Sequence, residues 1–179
     1  MPYGKTYAPY SSMEALPYKI STLIYLRNDD GELLLMKRNK SPNKGLWSPI
    51  GGKLEMGTGE SPHEAACREV GEEIGLSIEA SDLHLFSMIA EKNYEDRCHW
   101  LMFLFECKKP VPTLPPPIDE GTFAFFKESE IDNLDVPETD RSQLWRVFFK
   151  SRQDFVALRA DCHSARDLKV EIDEHMELS

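Results

Sequence analysis

Long apolar runs are missing from this chain. No stretch approaches the roughly 18 consecutive apolar residues that a membrane-crossing helix needs, so no membrane span is expected. Basic charge is also short: 21 Lys and Arg stand against 31 Asp and Glu, a net charge of −10. That balance argues against non-specific binding to nucleic acid. It leaves room for a small polyphosphate, because bound cations reverse the local sign of an acidic site. Cysteine is scarce, four in 179 residues, and Cys67, Cys98, Cys107 and Cys162 form no C-x-x-C pair. Cys67, Cys98 and Cys107 fall in periodic apolar segments, which predicts reduced, buried thiols rather than disulfides or zinc. The first 19 residues are rich in Tyr and Pro and hold no apolar leader core, so a cytoplasmic protein is expected. No internal repeat is evident, and the length suits one domain with short extensions.

Against these absences stands one dense stretch, from Gly51-Gly52-Lys53-Leu54-Glu55 through Arg68-Glu69-Val70-Gly71-Glu72-Glu73-Ile74-Gly75-Leu76. A glycine loop delivers the chain into a short acidic helix. Ser61 suits the N-cap, Pro62 the first helical position and Glu64 the reciprocal position of a capping box. Gly75 falls where a left-handed residue ends a helix, so the helix is predicted over Pro62–Ile74. At 100° per residue Ala66, Cys67, Val70 and Ile74 form an apolar stripe. Glu69, Glu72 and Glu73 share a neighbouring face, where like charges repel. Glu73, and less closely Glu69, borders the stripe. Carboxylates at such an edge are costly without a cation, and clustered oxygens suit Mg²⁺ or Mn²⁺.

This segment resembles the Nudix box, whose pattern is Gly, five residues, Glu, seven residues, then Arg-Glu-apolar-x-Glu-Glu-x-Gly-apolar. From Glu60 to Leu76 the match is complete, but seven residues rather than five separate Gly52 from Glu60. The extra pair lies in Met56-Gly57-Thr58-Gly59, a loop that can lengthen without moving a helical carboxylate. It leaves open the metal-ligand role that the resemblance gives the Gly52 carbonyl.

The rest of the chain reads as a mixed α/β protein. Tyr18 to Leu26 and Glu32 to Lys37 form a hairpin around Asn28-Asp29-Asp30-Gly31. The run Leu33-Leu34-Leu35-Met36 predicts burial on both faces of a sheet. Leu83 to Glu91 and Cys98 to Cys107 read as antiparallel strands. Lys108 to Pro117 is a proline-rich crossing loop, and Thr122 to Phe126 is another strand. A short helix is expected over Glu128 to Leu134, and a longer one after Pro137-Glu138-Thr139-Asp140. Residues 1–16 are expected to be an extended arm, 17–150 the main domain, and 151–179 a helical, acidic C-terminal extension. Phe155, Val156 and Leu158 of that extension would pack on the domain or on a second subunit, which allows a homodimer. The resemblance, over roughly Tyr18 to Lys150, implies a Nudix-type α/β/α sandwich with a mixed β-sheet.

The resemblance also implies an enzyme that hydrolyses a nucleoside diphosphate linked to a group X, using Mg²⁺ or Mn²⁺. It gives Glu69, Glu72 and Glu73 as metal ligands, and Glu60 as a support for Arg68, which would orient the ligand carboxylates. Three glutamates compete as general base: Glu120, before a strand as in the MutT-type branch, Glu91 at a strand end, and Glu69 itself. Similarity to that branch points to oxidised or non-standard nucleoside triphosphates. There Asp140 falls where the branch places a base-recognising Asn or Asp, although a helix N-cap fits it equally. Arg38 stands in a basic loop where phosphate contact and simple solvation both fit, and Trp47 fits either base stacking or packing. Tyr94 sits where relatives that cleave dinucleoside polyphosphates carry a tyrosine. A nucleotide sugar stays open as substrate, and so does a regulator that binds nucleotide without turnover.

Overall fold

The computed structural model describes residues 16–163 and 168–178. The expected arm lies outside the described residues except for its last position. Among the described residues, eight strands and two α-helices follow one another as β1 (Tyr18–Arg27), β2 (Leu33–Arg38), β3 (Trp47–Ser48), α1 (Pro62–Ile74), β4 (Leu83–Tyr94), β5 (Cys98–Cys107), β6 (Gly121–Phe126), α2 (Trp145–Ser151), β7 (Phe155–Asp161) and β8 (Lys169–Met176). The sheet is mixed. Its strands run in the order β3-β2-β1-β5-β4-β7-β8, with β6 paired to β2. β1 lies parallel to β5, and β4 parallel to β7, while β4–β5 and β1–β2 are antiparallel.

Two cores sit on opposite faces, and the alternation along β1 and β2 divides the chain between them. Ile24, Leu26, Leu34 and Met36 join Ala66 and Val70 beneath α1. Tyr25, Leu33 and Leu35 join Phe86, Trp145, Phe148, Val156 and Leu158 beneath α2. The four-residue apolar run of β2 is therefore covered on both sides, each residue no more than 1% exposed. An α/β/α sandwich results.

α1 begins and ends at the residues expected of it. Ser61 Oγ accepts from the Glu64 N–H (3.3 Å), and the Glu64 carboxylate accepts from the Ser61 N–H (2.8 Å). Gly75, at φ 69°, closes the helix with its N–H on the Gly71 carbonyl. The other helix departs from expectation. Residues Asp140–Leu144 form a π-helical turn before α2, so Asp140 lies inside the winding, makes no capping bond and is buried. A 3-10 turn stands at Glu128–Asn133, where a short helix was expected.

The expected helical extension over residues 151–179 is wrong. Val156, Leu158 and Ala160 are buried at a period of two, and β7 hydrogen-bonds along β4 from Ser87 to Lys92. The apolar residues of this segment thus pack on the domain, and the sheet closes at Asp161 and β8 rather than at Lys150. β8 is an exposed edge, held by Arg159 to Glu171 and Asp173. All four cysteines are free thiols, with Cys98 and Cys107 buried. No helix among the described residues is long and apolar enough to cross a membrane.

Candidate active site

A cleft of about 710 Å³ opens between α1, the loop before β3, β1, β5 and the segment leading to α2. At one end stand the α1 carboxylates. Arg68 organises them: its Nε and Nη2 hold both oxygens of Glu60 (2.8 and 3.0 Å), and Nη2 also reaches the Lys53 carbonyl at 3.0 Å. Nη1 donates to Glu69 (2.8 Å) and to Glu72 (3.1 Å). The Arg68 bonds hold the Glu60 carboxyl below its usual range. Glu60 Oε2 also accepts from the Glu55 N–H at 2.7 Å. The lengthened loop Met56–Gly59 is thereby pinched off at its base and leaves α1 undisturbed.

Glu73 is only 9% exposed and accepts from the Gly51 N–H at 3.3 Å. Burial, then the charge of Glu69, pushes its carboxyl up to about 8. Burial raises Glu69 as well, against the pull of Arg68. Gly52 is pressed on this group: a Cβ there would lie 2.1 Å from a Glu69 carboxylate oxygen. The Gly52 carbonyl accepts from the Thr22 N–H at 2.9 Å. These donors are all oxygen, Glu69 and Glu72 share one Arg68 nitrogen, and Glu73 is buried with a backbone N–H as its hydrogen-bond partner, a set whose chemistry suits a hard divalent cation. Among the described residues no three such groups already converge as a closed cage; Arg68 occupies them instead. Glu69, Glu72, Glu73 and the Gly52 carbonyl are the groups that fit a cation.

Arg38 and Glu120 line the same cleft and act on Glu73, one lowering and one raising its pKa. Arg38 Nε is tied to the Pro42 carbonyl at 2.9 Å. The Glu120 side chain is half exposed and pairs with Lys40 at 3.6 Å.

The other end of the cleft is built differently. Glu91 is 2% and Asp140 6% exposed, and both face the cleft. Burial raises Glu91 to about 7, with a Thr139 hydrogen bond opposing it. Burial and then the charge of Glu91 raise Asp140 to about 8. Tyr94 completes this end, its hydroxyl donating to Asn43 Oδ1 at 2.6 Å; burial raises it strongly. Glu91, expected as a possible base, therefore stands with Asp140 rather than with α1.

Of the two readings of Trp47, packing is the one the structure favours over substrate contact. Its ring packs edge-on against Phe126 (4.8 Å between centroids), its backbone N–H donates to the Asp135 carbonyl at 2.7 Å, and it does not line the cleft. Trp47 starts a two-residue strand whose pleat turns it to the α2-side core. The aromatic in the cleft is Trp100, with Met102 two residues on. The signal for both was the period-two run Cys98, Trp100, Met102, Leu104 along a strand already expected, once the facing core was known.

The family model of the NUDIX domain matches residues 17–149. That match spans most of the chain, and the chain belongs to the NUDIX family. The chain is 45% identical over 60 residues to the RNA pyrophosphohydrolase of Gluconobacter oxydans, covering 34% of each chain. It is 36% identical over 76 residues to the mitochondrial NAD(P)H pyrophosphatase of Mus musculus, covering 42% of this chain and 21% of that one. The chain thus spans about a third and a fifth of the length of these curated relatives. Among solved structures, the MutT protein of Bacillus halodurans superposes with a TM-score of 0.71 at 21% identity, covering 87% of this chain and 97% of that one. The fold is a Nudix fold.

Proposed function

We propose that this protein is a divalent-metal-dependent pyrophosphohydrolase acting on a nucleoside diphosphate linked to X, with oxidised or non-standard nucleoside triphosphates as its substrates. The observation that carries the reading is the two-ended cleft: crowded carboxylate oxygens at one end, a buried acid pair beside Trp100 at the other. The names of the curated relatives support phosphoric anhydride hydrolysis as the reaction class.

Glu69, Glu72, Glu73 and the Gly52 carbonyl would hold Mg²⁺ or Mn²⁺. When bound, such a cation polarises phosphoryl oxygens and lowers the pKa of water. The protein's own groups do the rest. Arg68 fixes the carboxylates, with Glu60 as its anchor. Arg38 at the cleft wall meets phosphate oxygens. Glu120, beside Glu73 and open to solvent, takes the proton of the attacking water; Glu69, hydrogen-bonded to Arg68, is the lesser candidate. Asp140 meets the base at the far end, and Tyr94 closes that wall through Asn43.

The test is turnover across nucleoside triphosphates, oxidised dGTP, dinucleoside polyphosphates and nucleotide sugars, with and without Mg²⁺. Metal-dependent release of pyrophosphate, fastest from a triphosphate, is expected. Nucleotide binding with no product would assign the chain a regulatory role instead.

A further inference from the structure

Glu91 has no part in the box and is among the most deeply buried acids described. Part of what surrounds it, β7 and Cys162, lies outside the family match. β7 runs along β4 with Ala160 opposite Glu91 and Asp161 opposite Lys92, and the Cys162 N–H bonds the Lys92 carbonyl at 2.9 Å. Lys92 and Asn93 then clasp Asp161 at 2.9 and 3.4 Å. Thr139 lies beside both the Glu91 carboxyl and the Cys162 thiol and pulls against the rise that burial gives each. Without β7, the β4 segment that carries Glu91 would be a sheet edge with Ala160 missing from beside it.

Among the described residues, the groups that act on Glu91 and Asp140 are one another, Thr139, Tyr94 and Cys162, and none of these is cationic. Two buried acids without a cation hold a proton between them at neutral pH. They then present one carboxylate, which accepts two hydrogen bonds side by side, next to one acid O–H, which donates. Trp100 in the same cleft offers a stacking face. The edge that complements this set has a ring N–H beside an exocyclic amine, with a carbonyl oxygen on the other side. Guanine-type bases carry it; hypoxanthine lacks the amine, and adenine has an acceptor in place of the ring N–H.

We infer that Glu91 is a specificity-determining residue which, opposite Asp140, reads the amine and ring N–H of a guanine-type base, and that the C-terminal β7 strand exists in this fold to bury it for that task. The inference rests on the proposed nucleotide hydrolysis and goes further by naming the base edge. The C8 position of the base plays no part in this contact, so guanine and its 8-oxo form are read alike here.

The experiment is the ratio of kcat/KM for dGTP over dITP, which differ only in the amine. The wild-type protein should favour dGTP by about tenfold or more, the worth of a bidentate contact. In Glu91→Gln the ratio should fall to within about threefold of unity, and Thr139→Val should lower it in the same direction. Melting curves of both variants show whether they fold, and a merely structural role for either residue would slow both substrates and leave the ratio unchanged. If neither triphosphate is hydrolysed, the proposed function fails, and the base contact is read instead from calorimetric binding of dGMP against dIMP. A wild-type preference for dGMP that Glu91→Gln removes supports the inference. No preference in the wild type, or an unchanged ratio in a folded Glu91→Gln, overturns it.

Discussion

Glu73, proposed above as a metal ligand, would trade stability for function. It is buried beside Glu69, and its carboxyl is raised to about 8. A raised carboxyl means the folded state keeps a proton that the unfolded state has lost, so stability falls as pH rises from about 4.5 to about 8. Without metal, the wild-type melting temperature should drop over that window. Glu73→Gln should flatten the drop and melt higher at pH 8, by a few degrees. The same change should cut turnover by roughly a hundredfold or more, because a ligand contributes several kcal/mol in the transition state. A variant that melts like the wild type at every pH would mean Glu73 is better compensated than its surroundings indicate.

Two other residues carry separable predictions. Gly52→Ala should weaken Mg²⁺ dependence without unfolding the chain, since its Cβ would push directly on the Glu69 carboxylate. A titration of activity against Mg²⁺ reads this, and an unchanged midpoint would contradict it. Glu120→Gln should slow the chemical step in single-turnover kinetics while leaving the Mg²⁺ midpoint in place. If Glu91→Gln gives that pattern and Glu120→Gln does not, the base has been placed at the wrong end of the cleft.

At the scale of elements, α1 was legible from its own residues because every device that bounds it is local: Ser61 and Glu64 at one end, Gly75 at the other. β7 was not legible. Its Val156, Leu158 and Ala160 become a buried face only because β4 lies beside them, 69 residues earlier in the chain where Ser87 Oγ donates to the Val156 carbonyl at 2.7 Å. Asp140 was named as a candidate base contact but stayed open for a related reason: its local sequence equally suits an N-cap, and only the π-helical turn and Glu91 make it a buried cleft acid. Trp47 stayed open between stacking and packing, and Trp100 was not singled out, because a strand sequence says which residues share a face and not which core that face meets. The element-level prediction follows from β7. Leu158→Ala should cost about 2–5 kcal/mol, whereas deleting residues 171–179, which takes most of exposed β8, should leave turnover intact. Urea unfolding and steady-state kinetics check both. A Leu158→Ala variant as stable as the parent would place β7 outside the core.

For the whole molecule, the proposed function has an acidic protein meet an acidic ligand through a cation that its gathered carboxylates would hold. The sheet carries this out by setting α1 against β1 on one side of the cleft and bringing β4, β5 and the turn before α2 to the other. The account therefore stands or falls on a metal-dependent cut between phosphates. The direct measurement is ³¹P NMR of the products from dGTP and oxidised dGTP, incubated with the protein and Mg²⁺. Nucleoside monophosphate and pyrophosphate are predicted as the only products, absent without metal and nearly absent in Glu73→Gln. Nucleoside diphosphate with orthophosphate, equal turnover by Glu73→Gln, or nucleotide bound and left whole would contradict it.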